Sequence, residues 1–451
     1  MEGHSQQTPE TDTICAIATP PGVGGVGVIR ISGPLSTLIA QQMINVSLKP
    51  RRAHFAHFLD EQGQALDSGI VILFPAPASF TGEDVVELQA HGGPVIMQML
   101  MTRVLSLGAR AARPGEFSER AFLNGKLDLT QAEAIADLIE SGSRAASRAA
   151  MRSLEGRFSQ LVHSLADEII DLRAFIEAAL DFAEEEIDFL DNPDIRRRLD
   201  DCNQHLEKLL AQAEQGRTLQ EGLSVSLAGL PNAGKSSLLN YLAGYEAAIV
   251  TEIEGTTRDV LREHLSLKGI PLKINDTAGL RESQNPVERE GIRRAWETIE
   301  QADVIIYLVD SSKGLTAADQ KIIDRLAGAS LQLVFSKSDL LAANQPQDAE
   351  ILYISTLSGA GMEMLIQRIT GHVSDYNQDN QAFMARRRHV DALLRAQEAV
   401  QQAAQTFKTT RSGELMAEDL RDAQQYLNEI TGEFTSEDLL GKIFSTFCIG
   451  K

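Results

Sequence analysis

The chain has 451 residues, of which 43% are hydrophobic, and its formal net charge is −21. At roughly 150 residues per domain, this length indicates about three domains with enough apolar material for real cores. An acidic chain repels phosphate backbones, so broad nonspecific nucleic-acid binding is not expected, and an RNA contact has to be local or carried by a partner.

The three cysteines, Cys15, Cys202 and Cys448, lie far apart in the sequence. No pair has zinc-ligand spacing, and the odd number does not indicate a disulfide framework. The first 13 residues are polar and lack the apolar segment of a signal peptide, and no apolar run approaches the ~20 residues that span a bilayer. We therefore expect a soluble, cytoplasmic protein with no membrane contact.

Residues 12–120 mix short β-rich runs with Gly/Pro turns. They predict a compact α+β domain with a helix over 95–107 and strands over 13–18, 27–32, 69–74 and 84–90. Residues 22–27 formally match the dinucleotide fingerprint Gly-x-Gly-x-x-Gly. A strand-like run follows them rather than a helix, so we interpret them as a turn that needs positive φ.

Residues 128–216 read as long amphipathic helices of a bundle, because apolar residues recur at helical spacing. A second helix is predicted to begin after Asn192, where Pro193 suits the first helical position. The two apolar faces consist of Leu161, Leu165, Ile169, Leu172 and Ile176, and of Leu199, Cys202, Leu206 and Leu209.

Residues 217–375 alternate strands with helices, the pattern of a doubly wound α/β sheet. Helices are predicted again over 383–407, 415–430 and 436–447. The α/β domain is best explained as an insertion, because helices on both sides of it can then pack together. The strands are predicted at 223–228, 261–267, 272–275, 304–309, 331–335 and 352–354. The predicted domains are 1–124 (α+β), 125–216 (helical, first part), 217–376 (inserted Ras-like domain) and 377–451 (helical, second part).

Residues 229–236 read Gly-Leu-Pro-Asn-Ala-Gly-Lys-Ser, a complete phosphate-binding loop between a predicted strand and a predicted helix. Its glycines let backbone N–H groups wrap phosphates, Lys235 reaches the β- and γ-phosphate oxygens, and Ser236 ligates magnesium. Eight positions in this strand–loop–helix context would rarely match by chance, so the loop predicts a nucleoside triphosphatase.

Two further switch segments follow in order. Thr256 and Thr257 lie in a polar loop where a threonine can close over the γ-phosphate and complete the magnesium shell. Asp276-Thr277-Ala278-Gly279 begins 41 residues after Lys235 and directly follows a predicted strand. Asp276 is placed to hold magnesium through water, and the Gly279 amide to sense the γ-phosphate.

The base-reading segment Ser336-Lys337-Ser338-Asp339 departs from the usual Asn-Lys-x-Asp of GTPases. Asp339 can accept hydrogen bonds from guanine N1 and the amino group, and Lys337 can cover the ring. Serine is shorter than asparagine, and Ser355-Thr356-Leu357 replaces the usual Ser-Ala-Lys. We expect GTP to be preferred over ATP, and both departures bear on nucleotide affinity.

Catalysis needs a substitute for the usual glutamine, because Leu280 follows the Asp-x-x-Gly segment and leucine cannot orient water. Asn232, together with carbonyl groups of residues 249–257, is a candidate potassium site, and potassium there could replace an arginine finger electrostatically. Glu288 could position the water. Spacing alone does not favour that role over a solvated helix residue.

Four stretches together resemble the tRNA modification GTPase family MnmE, also called TrmE, over essentially the whole chain. They are Ala-Thr-Pro-Pro-Gly through Arg-Ile-Ser-Gly (18–33), Phe-Thr-Gly-Glu-Asp through His-Gly-Gly-Pro (80–94), Arg-Pro-Gly-Glu-Phe through Asn-Gly-Lys (113–126), and the terminal Phe-Cys-Ile-Gly-Lys (447–451).

The resemblance implies a G domain inserted in a helical domain and an N-terminal domain that dimerises. It implies a 5-formyl- or 5,10-methylene-tetrahydrofolate donor, Mg²⁺, K⁺, and GTP as substrate. It also implies a heterotetramer with the FAD-dependent MnmG (GidA), which together with this chain would modify C5 of the wobble uridine of certain tRNAs. Potassium-dependent pairing of G domains would trigger hydrolysis.

The resemblance also implies residue roles. The folate positions are Arg30, Glu87, Lys126 and Lys451. The potassium positions are Asn232, Thr251, Ile253 and Thr256, and the magnesium positions are Ser236 and Thr257. Glu288 matches the catalytic glutamate, while Lys235 of the phosphate-binding loop and the terminal Cys448 are catalytic candidates on their own chemistry. The GTP positions are Asn232, Ala233, Gly234, Lys235, Ser236, Ser237, Thr251, Glu252, Ile253, Glu254, Gly255, Thr256, Thr257, Asp276, Thr277, Ala278, Gly279, Lys337, Asp339 and Ser355.

Several alternatives stay open at this point. Cys448 could react or simply pack, and the basic run 386–389 could be a solvated helix face or an RNA contact. A ribosome-assembly switch is a second functional class, but no Gly-x-x-Gly loop of a KH domain follows the G domain. A third is a folate-dependent one-carbon transferase under GTPase control, which folate binding without tRNA modification would favour.

Overall fold

A computed structural model describes residues 12–181, 193–245, 262–276, 293, 296–300, 302–326, 330–341, 351–371, 382–410, 412–433 and 437–450. The chain divides into two compact units. Unit 1 consists of residues 1–136 and 427–451, and unit 2 of residues 137–426. Within the described residues, no helix combines the length and apolar character needed to cross a membrane.

Unit 1 contains a six-stranded sheet in the order β3-β4-β5-β2-β1-β6. Neighbouring strands are antiparallel except β1 and β6, which are parallel. The strands are β1 (Ile14–Ile17), β2 (Gly24–Ser32), β3 (His54–Leu59), β4 (Ala65–Phe74), β5 (Val85–Gly92) and β6 (Arg110–Ala111).

One face of this sheet is covered by α1 (Ser36–Met43) and α2 (Pro94–Ser106). The strands alternate buried and exposed residues, so every second side chain packs against these helices. Ile29, Ile31 and Leu88 lie in this core. The predicted α+β domain is confirmed, and β2 begins inside the glycine-rich run, which excludes the dinucleotide-binding interpretation.

Three further helices belong to unit 1: α3 (Glu116–Leu123), α4 (Leu129–Glu140), which reaches past residue 136, and α13 (Glu437–Ser445). Phe444 and Phe447 pack with Leu129 and Phe122 in a small apolar cluster. The C-terminal segment is therefore part of the N-terminal unit's core.

The helical part of unit 2 is built from α5 (Arg144–Leu154), α6 (Arg157–Asp181), α7 (Pro193–Glu221), α11 (Arg387–Thr409) and most of α12 (Gly413–Thr431). Helix α7 packs against both α6 and α11. Most of the apolar residues that helical spacing assigns to the two faces are buried: all four on α7 and four of the five on α6. The predicted bundle is confirmed.

Between α7 and α11 lies a second six-stranded sheet in the order β12-β11-β10-β7-β9-β8. All neighbours are parallel except β8 and β9. The strands are β7 (Leu223–Gly229), β8 (Arg262–Leu267), β9 (Ile270–Asp276), β10 (Val304–Asp310), β11 (Leu331–Ser336) and β12 (Leu352–Tyr353), and the described helices are α8 (Lys235–Tyr245), α9 (Ala317–Arg325) and α10 (Met362–Gly371). Helix α7 precedes this sheet in the sequence and α11 follows it, yet the two helices pack against each other. The predicted insertion is therefore confirmed.

The helix predicted over 383–407 begins later, at Arg387. Phe383 instead stacks on Phe158 with 4.5 Å between ring centroids. The Met384 N–H donates to Ser153 Oγ at 2.9 Å, and that hydroxyl donates to the Met384 carbonyl at 3.1 Å. These contacts with α5 and α6 satisfy the backbone groups that a helical turn would have used.

Gly216 lets α7 approach this extended segment closely. A Cβ at Gly216 would lie 2.4 Å from the Phe383 carbonyl oxygen and 2.9 Å from the Ala385 nitrogen. Both obstacles are backbone atoms, which cannot rotate away. We expect Gly216→Ala to lower the free energy of unfolding by about 1–3 kcal/mol, measured as a lower urea midpoint by circular dichroism.

Gly244 of α8 is the matched control, because nothing lies within 4 Å of its virtual Cβ. Gly244→Ala should leave the midpoint unchanged or raise stability by up to about 1 kcal/mol, through helix propensity. Equal midpoints for both variants would contradict the close approach.

Candidate functional site

The phosphate-binding loop connects β7, a central strand, to α8, at the carboxyl edge where α/β sheets bind ligands. Gly229 has φ 139°, and a Cβ there would lie 2.4 Å from the Leu308 carbonyl oxygen of β10. Any side chain at this position would therefore push the loop off the sheet. Asn232 adopts a left-handed φ of 64° at the exposed tip of the loop.

Lys235 begins α8 and folds back over the loop. Its Nζ donates to the Gly229 carbonyl at 2.8 Å and lies 3.3 Å from the Leu230 carbonyl. The ammonium charge is therefore held at the mouth of the loop. Ser236 and Ser237 are exposed in the first turn of α8, where backbone N–H groups point at a bound anion.

The base-reading segment is hydrogen-bonded to the phosphate-binding loop. Ser336 is buried, and its hydroxyl donates to the Ala233 carbonyl at 2.6 Å, with the Val309 carbonyl 3.2 Å away. Lys337 donates to the Asn232 carbonyl at 2.7 Å. Serine in place of asparagine thus keeps a direct hydrogen bond between the two loops.

Asp310, at the end of β10, forms an ion pair with Lys337. The Lys337 ammonium lies 2.7 Å from Asp310 Oδ2, and the Ser312 hydroxyl donates to Oδ1 at 2.6 Å. Burial alone would raise the pKa of this carboxyl, but the hydrogen bonds from Lys337 and Ser312 outweigh it and lower the pKa to about 2. Asp310 therefore stays ionised and fixes Lys337 over the site.

Asp339 lies in a short 3-10 turn, Ser338–Leu340, and is exposed. The fully buried Ser355 donates its hydroxyl to Asp339 Oδ1 at 2.5 Å, and the Ser338 N–H donates to the Ile354 carbonyl at 3.0 Å. These bonds orient an exposed carboxylate beside Lys337. Leu357, which stands where a lysine is usual, is 87% exposed.

Several predicted positions lie outside the described residues: Thr251, Glu252, Ile253, Glu254, Gly255, Thr256, Thr257, Thr277, Ala278, Gly279, Leu280, Glu288 and Lys451. Asp276 ends β9 beside Leu227 of β7, so its backbone lies at the same sheet edge. Ala233 and Gly234 lie within the loop as predicted.

The described folate candidates, Arg30, Glu87 and Lys126, all belong to unit 1. Arg30 and Glu87 face each other across β2 and β5, with the guanidinium Nη2 3.0 Å from the carboxylate. The guanidinium lies 5.4 Å from the Phe80 ring centre and 5.8 Å from that of Phe117. Arginine, carboxylate and aromatic rings thus meet on the sheet face that α1 and α2 leave uncovered.

The other sequence stretches that carry the family resemblance also belong to unit 1. Asn124 donates to the Thr81 carbonyl at 2.7 Å, and the exposed Lys126 donates to the Pro77 carbonyl at 3.0 Å. The exposed Cys448 accepts a backbone hydrogen bond from Gly115 at 3.4 Å through its carbonyl. Gly450 is close enough to β1 that a Cβ there would lie 2.7 Å from the Ile17 carbonyl.

A charged network that sequence reasoning missed ties these stretches together. Arg120 pairs with Glu83 at 3.1 Å, with Asp12 at 2.7 Å and with Glu116 at 3.2 Å. Burial tends to raise the pKa of Glu116, but hydrogen bonds from Arg110 and the Arg113 N–H lower it to about 2. Two arginines and two glutamates at helical spacing over 113–120 were the available signal.

Known proteins match the chain along its whole length. The family described as "MnmE helical domain" matches residues 129–448, and "GTP-binding protein TrmE N-terminus" matches residues 13–126. A protein named tRNA modification GTPase MnmE from Vibrio cholerae serotype O1 (strain El Tor Inaba N16961) is 51% identical over 98% of this chain and all of its own. The chain belongs to the MnmE family.

The MnmE of Proteus mirabilis is likewise 51% identical, over 98% of this chain and 99% of its own. Among solved structures, Aquifex aeolicus Era bound to GDP·AlF4⁻ aligns with 39% of this chain and 66% of its own, at 23% identity and a TM-score of 0.28. The MnmE helical match begins before β7 and ends after β12, so it spans the inserted sheet.

Part of the basic run at 386–389 is paired or buried within this MnmE helical domain. Arg386 pairs with Asp137 at 2.8 Å. His389 is 2% exposed and accepts the Arg386 N–H on Nδ1 at 2.9 Å. The solvated-face interpretation is therefore wrong for His389, whereas Arg387 is exposed.

Proposed function

We propose that this chain is a potassium-activated GTPase that hydrolyses GTP to GDP and phosphate. With the flavoprotein MnmG it adds a carboxymethylaminomethyl or aminomethyl group to C5 of the wobble uridine of certain tRNAs, using a tetrahydrofolate one-carbon donor. The observation that carries the proposal is the phosphate-binding loop hydrogen-bonded to the Ser336–Asp339 segment. The 51% identity to proteins named tRNA modification GTPase MnmE supports it.

In the nucleotide site, backbone N–H groups of the phosphate-binding loop, which Pro231 lacks, and the Lys235 ammonium bind the phosphates. Asp339 accepts hydrogen bonds from guanine N1–H and the amino group, while the stem of Lys337 covers the ring. Ser336 bonds to the phosphate-binding loop, and Asp310 forms an ion pair with Lys337. These two contacts hold the base-reading segment in position beside the loop.

The side chains present suit the two cations. Ser236 offers an exposed hydroxyl at the start of α8 and, with Thr257, would hold magnesium. Asn232 offers a neutral amide oxygen at the loop tip and, with Thr251, Ile253 and Thr256, would hold potassium. A potassium ion held there would supply the positive charge that the transferred phosphate needs and that Leu280 cannot supply. We assign water positioning to Glu288.

In unit 1, Glu87 suits the amino and N–H donors of a pterin, and Arg30, Lys126 and Lys451 suit the anionic glutamate tail. The Arg30–Glu87 pair is partly exposed, with 21% and 18% of the two side chains accessible, so both groups remain open to a ligand. We also assign the exposed Cys448 to this site as a candidate nucleophile. We further propose a cytoplasmic homodimer that meets tRNA in a heterotetramer with MnmG.

The test is GTP hydrolysis by the purified chain in potassium and in sodium buffer. We expect at least about 10-fold faster hydrolysis in potassium, because a correctly placed charge stabilises the transition state. Asn232→Ala should abolish the difference, whereas Asn240→Ala, an exposed asparagine of α8, should retain it. Equal rates in both salts would refute potassium activation and leave GTP hydrolysis itself standing.

A further inference from the structure

Helix α5 presents a row of arginines. Arg144, Arg148 and Arg152 recur every fourth residue, so their Cα atoms are roughly 6 Å apart along one face. The opposite face packs inside the fold through Ala145, Ala146, Ala149, Ala150 and Ser153. The helix contains no acidic residue. Its exposed side is therefore positive in a chain whose net charge is −21.

The starts of two other helices join the C-terminal end of α5. Arg152 Nε donates to the Ala382 carbonyl at 2.5 Å, and Phe158 of α6 stacks on Phe383 and lies 5.1 Å from His389 of α11. Arg157, the first residue of α6, and Arg387, the first of α11, belong to this junction and are exposed. We call Arg144, Arg148, Arg157 and Arg387 the arginine surface.

These four side chains make no hydrogen bond or ion pair with any other residue in the described part of the chain. Other arginines of the helical part do: Arg197 pairs with Asp194 at 3.0 Å and Arg421 with Glu418 at 3.5 Å. The carboxylates closest in sequence, Glu140, Glu155 and Asp391, are exposed but not paired with the surface.

Three of the four arginines are the first residue of a helix: Arg144, Arg157 and Arg387. The positive end of a helix dipole repels a cation there and attracts an anion. Each arginine thus adds to a helix N-terminus that already favours phosphate. The arrangement is unfavourable for the isolated chain and becomes favourable when an external polyanion neutralises it.

We propose that the arginine surface docks the phosphate backbone of tRNA onto the helical domain. The proposal rests on the proposed function for its choice of polyanion. The charge is complementary, the guanidinium fork matches phosphate oxygens, and a row of charges suits a regularly charged strand. A local positive surface is also what an acidic chain needs in order to touch RNA.

The test measures binding of an unmodified tRNA transcript to the full chain by fluorescence polarisation, from about 50 to 200 mM salt. For Arg144→Ala/Arg148→Ala we expect roughly 10- to 100-fold weaker binding near 0.1 M salt. The slope of log K against log[salt] is negative, and its magnitude should decrease by about 0.7–0.9 for each lost phosphate contact. Arg144→Lys/Arg148→Lys should restore most of the slope.

Arg197→Ala/Arg421→Ala is the matched control, because it removes two exposed positive charges that already have carboxylate partners. It should bind tRNA as the unaltered chain does. Equal losses in the test and control variants, or no tRNA binding by the unaltered chain at low salt, would overturn the proposal. So would an unchanged tRNA affinity accompanied by lost association with MnmG, which would make the surface a protein contact.

GTP hydrolysis is measured on the same preparations, and the surface variants should hydrolyse at the unaltered rate. A chain that hydrolyses GTP but binds tRNA independently of these arginines refutes only the arginine surface. A chain that does not hydrolyse GTP at all refutes the proposed function.

Discussion

Replacing Lys235 with alanine is expected to lower kcat/KM for GTP hydrolysis by at least about 100-fold. The Lys235 ammonium is held 2.8 Å from the Gly229 carbonyl and 3.3 Å from the Leu230 carbonyl, so it is already positioned at the mouth of the phosphate loop. Negative charge builds up on the phosphate oxygens during transfer, and a preorganised cation stabilises it without reorganisation. Alanine removes that cation.

The control is Lys313→Ala, which removes an exposed lysine from the same domain. Steady-state hydrolysis should be unchanged in this variant, and thermal unfolding followed by circular dichroism should show that both variants are folded. If the two variants hydrolyse GTP equally fast, Lys235 does not act on the phosphates and the assignment of the loop is wrong.

The inserted sheet could be predicted from the sequence, because each of its signals is local. Val304–Asp310 is an uninterrupted apolar run that ends in a carboxylate, as expected for a central parallel strand. The phosphate loop carries its own glycines, lysine and serine in consecutive positions. Local patterns of this kind need no knowledge of distant partners, and the structure confirms the fold they predict.

Contacts between distant segments could not be predicted. The Ser336 hydroxyl reaches Ala233, 103 positions away, and from the sequence Ser336 could be seen only as a departure from asparagine. The late start of α11 depends on Ser153 and Phe158, which lie more than 200 positions earlier. The same holds for Arg120 and Asp12, which pair across 108 positions. Pairings across such distances have no local signal.

Asp339→Asn is expected to lower kcat/KM for GTP by at least about 1000-fold and to make xanthosine triphosphate the better substrate. The Asp339 carboxylate is exposed and oriented by the Ser355 hydroxyl, 2.5 Å from Oδ1. An asparagine amide would present N–H donors to the donors of guanine. Xanthine carries a carbonyl oxygen in place of the amino group and can accept the new N–H.

Ser338→Ala is the control, because Ser338 shares the 3-10 turn but makes its described bonds through the backbone N–H and carbonyl. It should keep the preference for GTP. The exchange of substrates distinguishes base reading from damage to the loop, since an unfolded loop would lose both nucleotides. Ser336 and Lys337 still bond to the phosphate-binding loop in the Asp339→Asn variant, so a full gain in xanthosine triphosphate hydrolysis requires that these two bonds hold the base-reading segment in place. Loss of both activities in a folded variant would show that Asp339 positions the loop instead of reading the base.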